Sequence, residues 1–249
     1  MKKQLSHIIN NLESISFKEM DSVSLMKRTD TKFVIHEKQL VDVLETIKDQ
    51  YQVLKINENR MMTYSSLYFD TQDKKFYNDH HNGKINRTKV RMRKYVESDS
   101  CFLEIKQKDG KGKTTKSRIQ IKDFETNLSK DLIDFISKTT SEKLELKPII
   151  WNKFNRITLV NIQEKERLTI DLNLCYKMDK YEKDYSNLVI IEVKQERFNR
   201  VSPIVKALKS NYINPYSISK YCIGMTRIYP QLKYNRFKKK LIKINKISA

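Results

Sequence analysis

Charged and apolar residues alternate with a period of two along several segments of this chain. In the segment KVRMR, Lys89, Arg91 and Arg93 are separated by apolar residues. Successive side chains of a β-strand point to opposite faces, so this segment predicts a strand with one basic face and one apolar face. The same alternation recurs in the segments 28–34, 102–108, 167–173 and 191–196.

The predicted strands are separated by segments with the period of amphipathic helices. Strands are predicted over 28–35, 62–70, 89–95, 101–108, 116–122, 150–160, 167–174 and 188–196. Helices are predicted over about the first twenty residues and over 37–50, 129–138, 202–211 and a short stretch from Ser219. Since most strands follow one another directly, we expect an α+β fold with a largely antiparallel sheet.

The basic faces of these strands suggest a shared binding surface. The chain has 50 Lys and Arg against 30 Asp and Glu, a net charge of +20. If only one strand had this pattern, its charged side could simply be the solvent-exposed face of an ordinary sheet. Repeated on several strands of a sheet curled into a barrel, the cations would meet in one lumen, where they need an anion to offset repulsion and lost hydration. We therefore expect an antiparallel β-barrel tunnel with a charged lumen for a phosphate chain and with helices packed outside.

The sequence lacks the features of a membrane-spanning or exported protein. It has no run of about 18 uncharged apolar residues, and its N-terminal segment lacks the apolar core of a signal peptide. Cys101, Cys175 and Cys222 are far apart and predict reduced thiols. We expect a cytoplasmic protein with an anionic partner. A membrane-protein partner stays open, and we find no motif for specific nucleic-acid recognition.

The segment after Tyr229 has a composition of its own. It carries seven Lys and Arg and no acidic residue, which is typical of a solvated or disordered tail. We therefore divide the chain into a tunnel domain, residues 1–230, and a basic C-terminal tail, residues 231–249. Non-specific, salt-sensitive binding of nucleic acid by this tail is a weaker alternative.

Eight short motifs occur in a fixed order: RTDTKFVI, LYFDT, KVRMRKY, FLEIKQK, KFNR, RLTIDLNL, IIEVKQ and SISKYCIGM. Together they resemble the polyphosphate polymerase (VTC) domain of the triphosphate tunnel metalloenzyme superfamily, over residues 25–227. The resemblance implies an antiparallel β-barrel tunnel that binds ATP and polyphosphate. It also implies transfer of the γ-phosphate of ATP onto a growing polyphosphate chain, with Mn²⁺ or Mg²⁺ as the metal.

The resemblance and the strand phases together assign candidate roles. The residues expected to act in catalysis are Arg91, Arg93, Lys106 and Lys220. Those expected to bind substrate are Arg28, Lys32, Lys89, Lys116, Arg118, Arg156, Lys194 and Ser219. Glu192 is expected to hold the metal, with Glu104 and Asp171 as further candidate ligands. Carboxylates suit this role because hard divalent cations prefer oxygen ligands.

Two positions depart from the family pattern. Phe154 stands where the family often has Tyr, which removes a hydroxyl contact to phosphate. The first strand reads Arg28, Asp30, Lys32, where the wider superfamily has Glu-x-Glu-x-Lys. This replacement is a feature of the polymerase branch and weakens the case for a triphosphatase with two metals.

The same residues allow other interpretations. Glu104 could form a structural ion pair with Lys106, and Asp171 could be a hydrogen-bond acceptor in the core. The tunnel could instead hydrolyse triphosphate or polyphosphate, with water as the acceptor. A non-catalytic module that binds polyanions is the third alternative, and it would have no need for Glu192.

Overall fold

The computed structural model describes residues 2–20, 23 and 28–248. The strands are β1 (Ser14–Ile15), β2 (Thr29–His36), β3 (Gln52–Leu54), β4 (Met62–Asp70), β5 (Arg87–Tyr95), β6 (Ser100–Lys108), β7 (Thr114–Ile121), β8 (Lys147–Asn161), β9 (Glu166–Met178), β10 (Tyr181–Tyr185) and β11 (Leu188–Gln195). The helices are α1 (Lys2–Asn11), α2 (Phe17–Met20), α3 (Glu37–Ile47), α4 (Lys75–His81), α5 (Lys130–Thr140), α6 (Pro203–Ser210), α7 (Lys220–Ile228) and α8 (Lys238–Ser248). Within these described ranges, no helix has the length and apolar character needed to cross a bilayer.

All the strands belong to one sheet, whose main path runs β2-β11-β9-β8-β4-β5-β6-β7. The pairings along this path are antiparallel, as predicted, and the parallel pairing in the sheet joins β1 to β3. All eight predicted strands are confirmed. The strands β1, β3 and β10 were not predicted, because two are very short and the third, YEKDY, has no apolar alternation.

The sheet curls strongly without closing. Strands β2 and β6 are six steps apart on the path, which in a flat sheet is a separation of about 29 Å. The charge of Lys32 on β2 nevertheless acts on the pKa of Lys106 on β6, so curvature brings these strands face to face. No pairing among the described residues joins β2 to β7. The predicted barrel is therefore an open one, with a seam between these two edge strands.

Helices cover the outer face of the sheet, as predicted. Helices α1, α3 and α6 pack on β2, β8, β9 and β11, and α5 packs on β4, β5 and β6. Helix α3 buries Leu40, Val43, Leu44 and Ile47, which recur at helical spacing. The N-terminal helix is shorter than predicted. It ends at Asn11 because residues 14–15 pair with β3.

Helix α7 closes one end of the concave face. It packs on β8, β9 and β10 against side chains such as Ile150 and Tyr176, which share the strand phase of the charged residues but carry no charge. Gly224 lets α7 approach closely, since a Cβ there would lie 2.5 Å from the Tyr176 ring and 2.7 Å from Ile150 Cδ1. The curled sheet is therefore charged in its middle and filled by a helix at this end.

The expectation of a solvated or disordered segment after residue 230 was wrong. Residues 238–248 form helix α8, and Phe237, Leu241 and Ile244 are buried in the same cluster as α7. These apolar residues recur at positions i, i+4 and i+7 between the lysines, which is the spacing of one helix face. The run of positive charge concealed this amphipathic pattern.

Candidate active site

The strand register collects the predicted site residues on the concave face of the sheet, called here the inner face. The directly opposed pairs are Lys32 with Glu192, Arg156 with Asp171, Arg91 with Glu104, Glu104 with Arg118, Lys89 with Lys106, and Lys106 with Lys116. Directly opposed residues in an antiparallel sheet point to the same side. Side chains from seven strands therefore share one surface.

Glu192 lies between two lysines. Its Oε1 is 2.9 Å from Lys32 Nζ, and its Oε2 is 3.4 Å from Lys194 Nζ. Burial by itself would raise the pKa of Glu192, but the ammonium groups of Lys194 and Lys32 hold it well below its usual range. Burial lowers the pKa of Lys194 to about 8, against the opposing effect of Glu192. Glu192 is thus an ionised carboxylate whose charge the two lysines balance.

Glu104 holds a second group of charges. This buried carboxylate lies 2.7 Å from Arg91 Nη2 and 2.5 Å from Lys116 Nζ. Burial opposes its ionisation, yet the charges of Arg91, Arg93 and Lys116 lower the pKa of Glu104 to about 2. Its ion-pair partners are therefore Arg91 and Lys116 rather than the Lys106 considered from the sequence. Arg91 also donates from Nη1 to the Tyr68 hydroxyl at 3.1 Å.

Asp171 connects the sheet to helix α7. Arg156 donates to it from Nε at 2.5 Å and from Nη2 at 2.8 Å, and Lys220, the first residue of α7, donates to its Oδ2. Burial would raise the pKa of Asp171, but Arg156 and Lys220 hold it well below its usual range. The hydrogen-bond acceptor role considered for Asp171 is therefore present, and both donors are predicted site residues.

Phe154 forms an aromatic platform for these cations. Its ring stacks on Tyr64 with centroids 5.2 Å apart. The charged groups of Arg93, Arg156 and Lys220 lie 5.6, 5.3 and 4.6 Å from its centroid. A cation over a ring face is attracted by the ring quadrupole. Phe154, which stands where the family often has Tyr, thus contacts three cations of the site through its ring rather than through a hydroxyl.

A third region of the inner face is basic, and within the described residues neither of its lysines, Lys89 and Lys106, forms a salt bridge. Lys89 Nζ donates to Ser219 Oγ at 3.1 Å, and the same oxygen accepts from the backbone N–H of Cys222 at 3.3 Å. Burial lowers the pKa of Lys89. Lys106 is in part open to solvent, and its pKa is lowered by desolvation and then by Lys32 and Lys89. Ser219 thus caps α7, as predicted, and also contacts the inner face.

The remaining predicted residues lie at the edges. Arg28 pairs with Asp30 at 2.9 Å and is largely exposed. Arg118 is exposed and lies over the Phe102 ring, 4.8 Å from its centroid. Counting these, eleven predicted cations share the region with four carboxylates, Asp30, Glu104, Asp171 and Glu192. These residues alone therefore give the inner face a surplus of seven positive charges that an anionic ligand can balance.

The three predicted metal ligands do not form one cluster. Among the described residues, the group of three whose ligand atoms lie within 4.8 Å of one another is Cys175, Glu182 and Asp184, on β9 and β10. Glu104, Asp171 and Glu192 are instead neutralised separately by basic side chains. All three have lowered pKa values and are in the ionised form that a divalent cation binds.

Sequence reasoning missed the polar side chains of β4. Tyr64, Ser66 and Tyr68 are not among the predicted site residues. Ser66 Oγ accepts from Arg93 Nε at 3.0 Å, and the Tyr68 hydroxyl accepts from Arg91. Burial would raise the pKa of Tyr68, but Arg91, Arg93 and Lys89 lower it to about 8. The signal was available, since positions 64, 66 and 68 share one strand face.

Comparison with solved structures identifies the fold. A Hippeastrum protein described as an adenylyl cyclase with a dominant triphosphatase activity is 13% identical, with a TM-score of 0.53 over 81% of this chain and 96% of that one. A Vibrio parahaemolyticus protein described as an adenylate cyclase is 10% identical, with a TM-score of 0.46 over 80% and 99% of the two chains. The curled antiparallel sheet with helices outside is therefore the triphosphate tunnel fold.

The sequence narrows this class to one family. The VTC domain matches residues 27–229, so the chain belongs to the VTC domain family. No curated protein matches the sequence. The predicted resemblance is thereby confirmed over nearly the same span.

Proposed function

We propose that this chain is a polyphosphate polymerase that transfers the γ-phosphate of ATP to a growing polyphosphate chain on the inner face. The observation that carries the proposal is the coexistence of ionised carboxylates with a surplus of cations on one concave surface. A simple structural network would balance its charges. Seven unbalanced positive charges favour a ligand with several negative charges, such as a nucleoside triphosphate or a polyphosphate chain.

The arginines suit the transferred phosphoryl group. Phosphoryl transfer depends mainly on positioning and on neutralising charge on the phosphate oxygens. Arg91 and Arg93 lie side by side on β5, and their planar groups can bind phosphate oxygens in pairs. Glu104 and Ser66 orient them, which lowers the cost of organising them when substrate binds. We assign Arg91 and Arg93 to the γ-phosphate and Lys106 to the oxygens beside it.

Lys220 and Ser219 would act at the start of helix α7. Free backbone N–H groups at a helix N-terminus favour anions, and Lys220 adds a charge there. In the reaction, a terminal phosphate oxygen of the chain attacks the γ-phosphorus. A new P–O–P bond forms, the bond to the β–γ bridging oxygen breaks, and ADP leaves with that electron pair. No protein nucleophile is required.

Glu192 is the best candidate to hold a divalent metal together with the substrate. It is ionised, and hard cations prefer carboxylate and phosphate oxygens. The scattered carboxylates and abundant lysines fit a metal that arrives with phosphate better than a preformed protein cage. Mn²⁺ or Mg²⁺ would supply neutralisation of charge on the phosphate oxygens. Lys32 and Lys194 would then turn from Glu192 toward phosphate.

A hydrolase acting on triphosphate or polyphosphate is the second candidate. The open seam between β2 and β7 favours it, since water reaches an open channel more easily than a closed one. The exposed fraction of the Arg28 side chain, 42%, and of Lys116, 44%, supports this access. The two candidates share all phosphate-binding residues and differ in the acceptor, which is water or the chain end.

The deciding experiment follows three products at once. The purified full chain is incubated with ATP and Mn²⁺ or Mg²⁺, and polyphosphate, ADP and free phosphate are measured, with Arg91→Ala as the control. Chain growth that matches ADP release and is lost in Arg91→Ala would establish the polymerase. Free phosphate without chains would establish the hydrolase. Tight binding of added polyphosphate with no product would contradict both and favour a non-catalytic binding module.

A further inference from the structure

Two like-charged pairs lie next to each other on the inner face near helix α7. Lys89 on β5 is directly opposite Lys106 on β6, and Arg87 is directly opposite Lys108 one step further along the same face. Like charges in this position repel and destabilise a sheet. None of the four has a carboxylate within 4.0 Å among the residues that the structure describes. This end of the surface therefore contrasts with the paired charges around Glu104, Asp171 and Glu192.

Helix α8 adds cations to this same end. Its start is fixed on helix α4: Phe237 packs on the His81 ring with centroids 5.4 Å apart, and the Tyr77 hydroxyl donates to Lys233 O at 2.9 Å. Helix α4 in turn packs on β5, the strand that carries Arg87 and Lys89. Phe237 thus fixes the start of α8 on α4, and the helix itself packs on β2 and β11.

His80 marks the point where these cations meet. Its ring lies 6.0 Å from that of Phe237, on the side of α4 that α8 covers. Burial, and then the charges of Lys89, Arg87, Lys240 and Lys108, lower the pKa of His80 to about 3. Charges from β5, β6 and α8 therefore act on one neutral imidazole. Lys240 is half-buried here and, like the other four cations, forms no salt bridge within the described residues.

We infer that Arg87, Lys108 and Lys240 form an outer binding surface that continues from Lys89 and Lys106 and holds the part of a polyphosphate chain that extends beyond the tunnel. This inference rests on the proposed function, because it takes polyphosphate as the ligand of the inner face. Lys240 lies outside the residues that the VTC domain matches, so this part of the surface belongs to this chain's own C-terminal helix.

A polyphosphate chain fits this surface better than an anionic membrane does. The surface continues into the concave inner face through Lys89, whose ammonium contacts Ser219. Arg87, Lys108 and Lys240 are half-buried, whereas Lys239 and Lys246 on the other side of α8 are exposed. A bilayer contacts projecting side chains, but a single-stranded polyanion can follow a recessed row of cations. Its evenly spaced charges would also relieve the repulsion within each like-charged pair.

The test compares long and short ligands on the full chain. Binding of long-chain polyphosphate and of tripolyphosphate is measured by calorimetry for the parent and for a combined Arg87→Gln, Lys108→Gln and Lys240→Gln variant. The control combines Lys233→Gln, Lys239→Gln and Lys246→Gln, which removes the same charge from exposed positions of the C-terminal segment. We expect the first variant to bind the long chain about tenfold or more weakly, with a smaller loss for tripolyphosphate, and the control to resemble the parent.

Several outcomes would overturn the inference. An equal loss in the control would mean diffuse attraction rather than a defined surface, and an equal loss for both ligands would place these residues inside the tunnel. Loss of binding to phosphatidylserine vesicles with unchanged polyphosphate binding would favour a membrane. Failure of the parent to bind either phosphate ligand would instead contradict the proposed function. If the variant does not fold, histidine NMR signals of the parent serve: those of His80 should shift with the long chain more than with tripolyphosphate, and no shift would also overturn it.

Discussion

Lys89 Nζ on strand β5 donates a hydrogen bond to Ser219 Oγ, the hydroxyl that caps helix α7, over 3.1 Å. The Ser219 hydroxyl oxygen thus connects the N-terminus of α7 to the basic region around Lys89 and Lys106 on the inner face. This link means that the position of α7 and the arrangement of phosphate-binding groups depend on each other.

We expect Ser219→Ala to weaken both the helix cap and phosphate binding. Loss of the cap should lower the free energy of unfolding by about 1 kcal/mol. Lys89 would also lose its partner, so the affinity for tripolyphosphate should fall several-fold. Thermal unfolding and calorimetric titration measure the two effects. Ser202→Ala is the matched control, because Ser202 caps α6 on the outer face. An equal loss of affinity in this control would show that helix stability alone is responsible.

Glu192→Gln should stop turnover while leaving polyphosphate binding largely intact. The variant removes the charge proposed to hold the metal but retains nearby Lys32 and Lys194, which contact phosphate in the proposed function. We expect product formation to fall by about 100-fold or more, with a Kd for polyphosphate at or below that of the parent. Glu196→Gln, an exposed position just beyond the same strand, is the control. Turnover near the parental rate in Glu192→Gln would rule out the proposed role.

Glu104 should make stability depend on acid pH. Its folded pKa, about 2, is lowered from 4.5, so its stabilising effect is complete above about pH 4.5 and is lost as the pH falls toward 2. The shift corresponds to about 3 kcal/mol. Urea unfolding should show a steeper loss of stability between pH 6 and pH 3 in the parent than in Glu104→Gln, because part of the effect is lost below about pH 4.5. Glu142→Gln, which removes an exposed carboxylate paired with Lys75, should follow the parent. Parallel curves for the parent and Glu104→Gln would contradict this prediction.

Gly224→Ala should displace helix α7. The new Cβ would lie 2.5 Å from the Tyr176 ring and 2.7 Å from Ile150 Cδ1, and both of these side chains are buried residues of the sheet. We expect a loss of about 1–3 kcal/mol in the free energy of unfolding, together with weaker phosphate binding because Ser219 and Lys220 move with the helix. Gly110→Ala is the control, since its Cβ would have its nearest neighbour at 3.5 Å. Unchanged melting and binding in Gly224→Ala would show that α7 can shift freely.

Ile244→Ala tests whether helix α8 is part of the folded domain. Ile244 is fully buried, so its truncation should cost about 2–5 kcal/mol. Ile242→Ala on the same helix should have little effect, because Ile242 is 58% exposed. Denaturant unfolding of both variants measures the difference. Equal stability of the Ile244→Ala and Ile242→Ala variants would show that residues 238–248 do not pack on the folded domain. For the same reason, deleting residues 231–249 would destabilise the protein rather than simply remove its basic charge.

Most of the fold was predictable from local pattern. Period-two alternation was clear in five of the seven strands that contribute a charged side chain to the inner face, namely β2, β5, β6, β9 and β11. The pattern failed at helix α8, where Phe237, Leu241 and Ile244 lie among lysines. Average composition there indicated disorder, whereas the helical spacing of three apolar residues determined the structure. The open seam could not be predicted, because strand phase does not specify whether the two sheet edges pair.

The site was predictable in its members but not in their contacts. Glu104 and Lys106 are two residues apart on one strand, about 7 Å along its axis, whereas directly opposed residues on neighbouring strands are about 5 Å apart. Glu104 therefore pairs with Arg91 across the sheet. Such pairing depends on register, which a single sequence leaves undetermined. The same reason explains why Tyr68 and Ser66 were not recognised as partners of the arginines.

The seam between β2 and β7 has a topological consequence for a polymer. A closed barrel, in which every strand is hydrogen-bonded to both neighbours, can hold a long chain only if one end of the chain is threaded through it. The edge strands β2 and β7 can separate without breaking any strand pairing. An internal segment of a long polymer can therefore enter the tunnel from the side. Capture and release would then be independent of where the ends of the polymer lie.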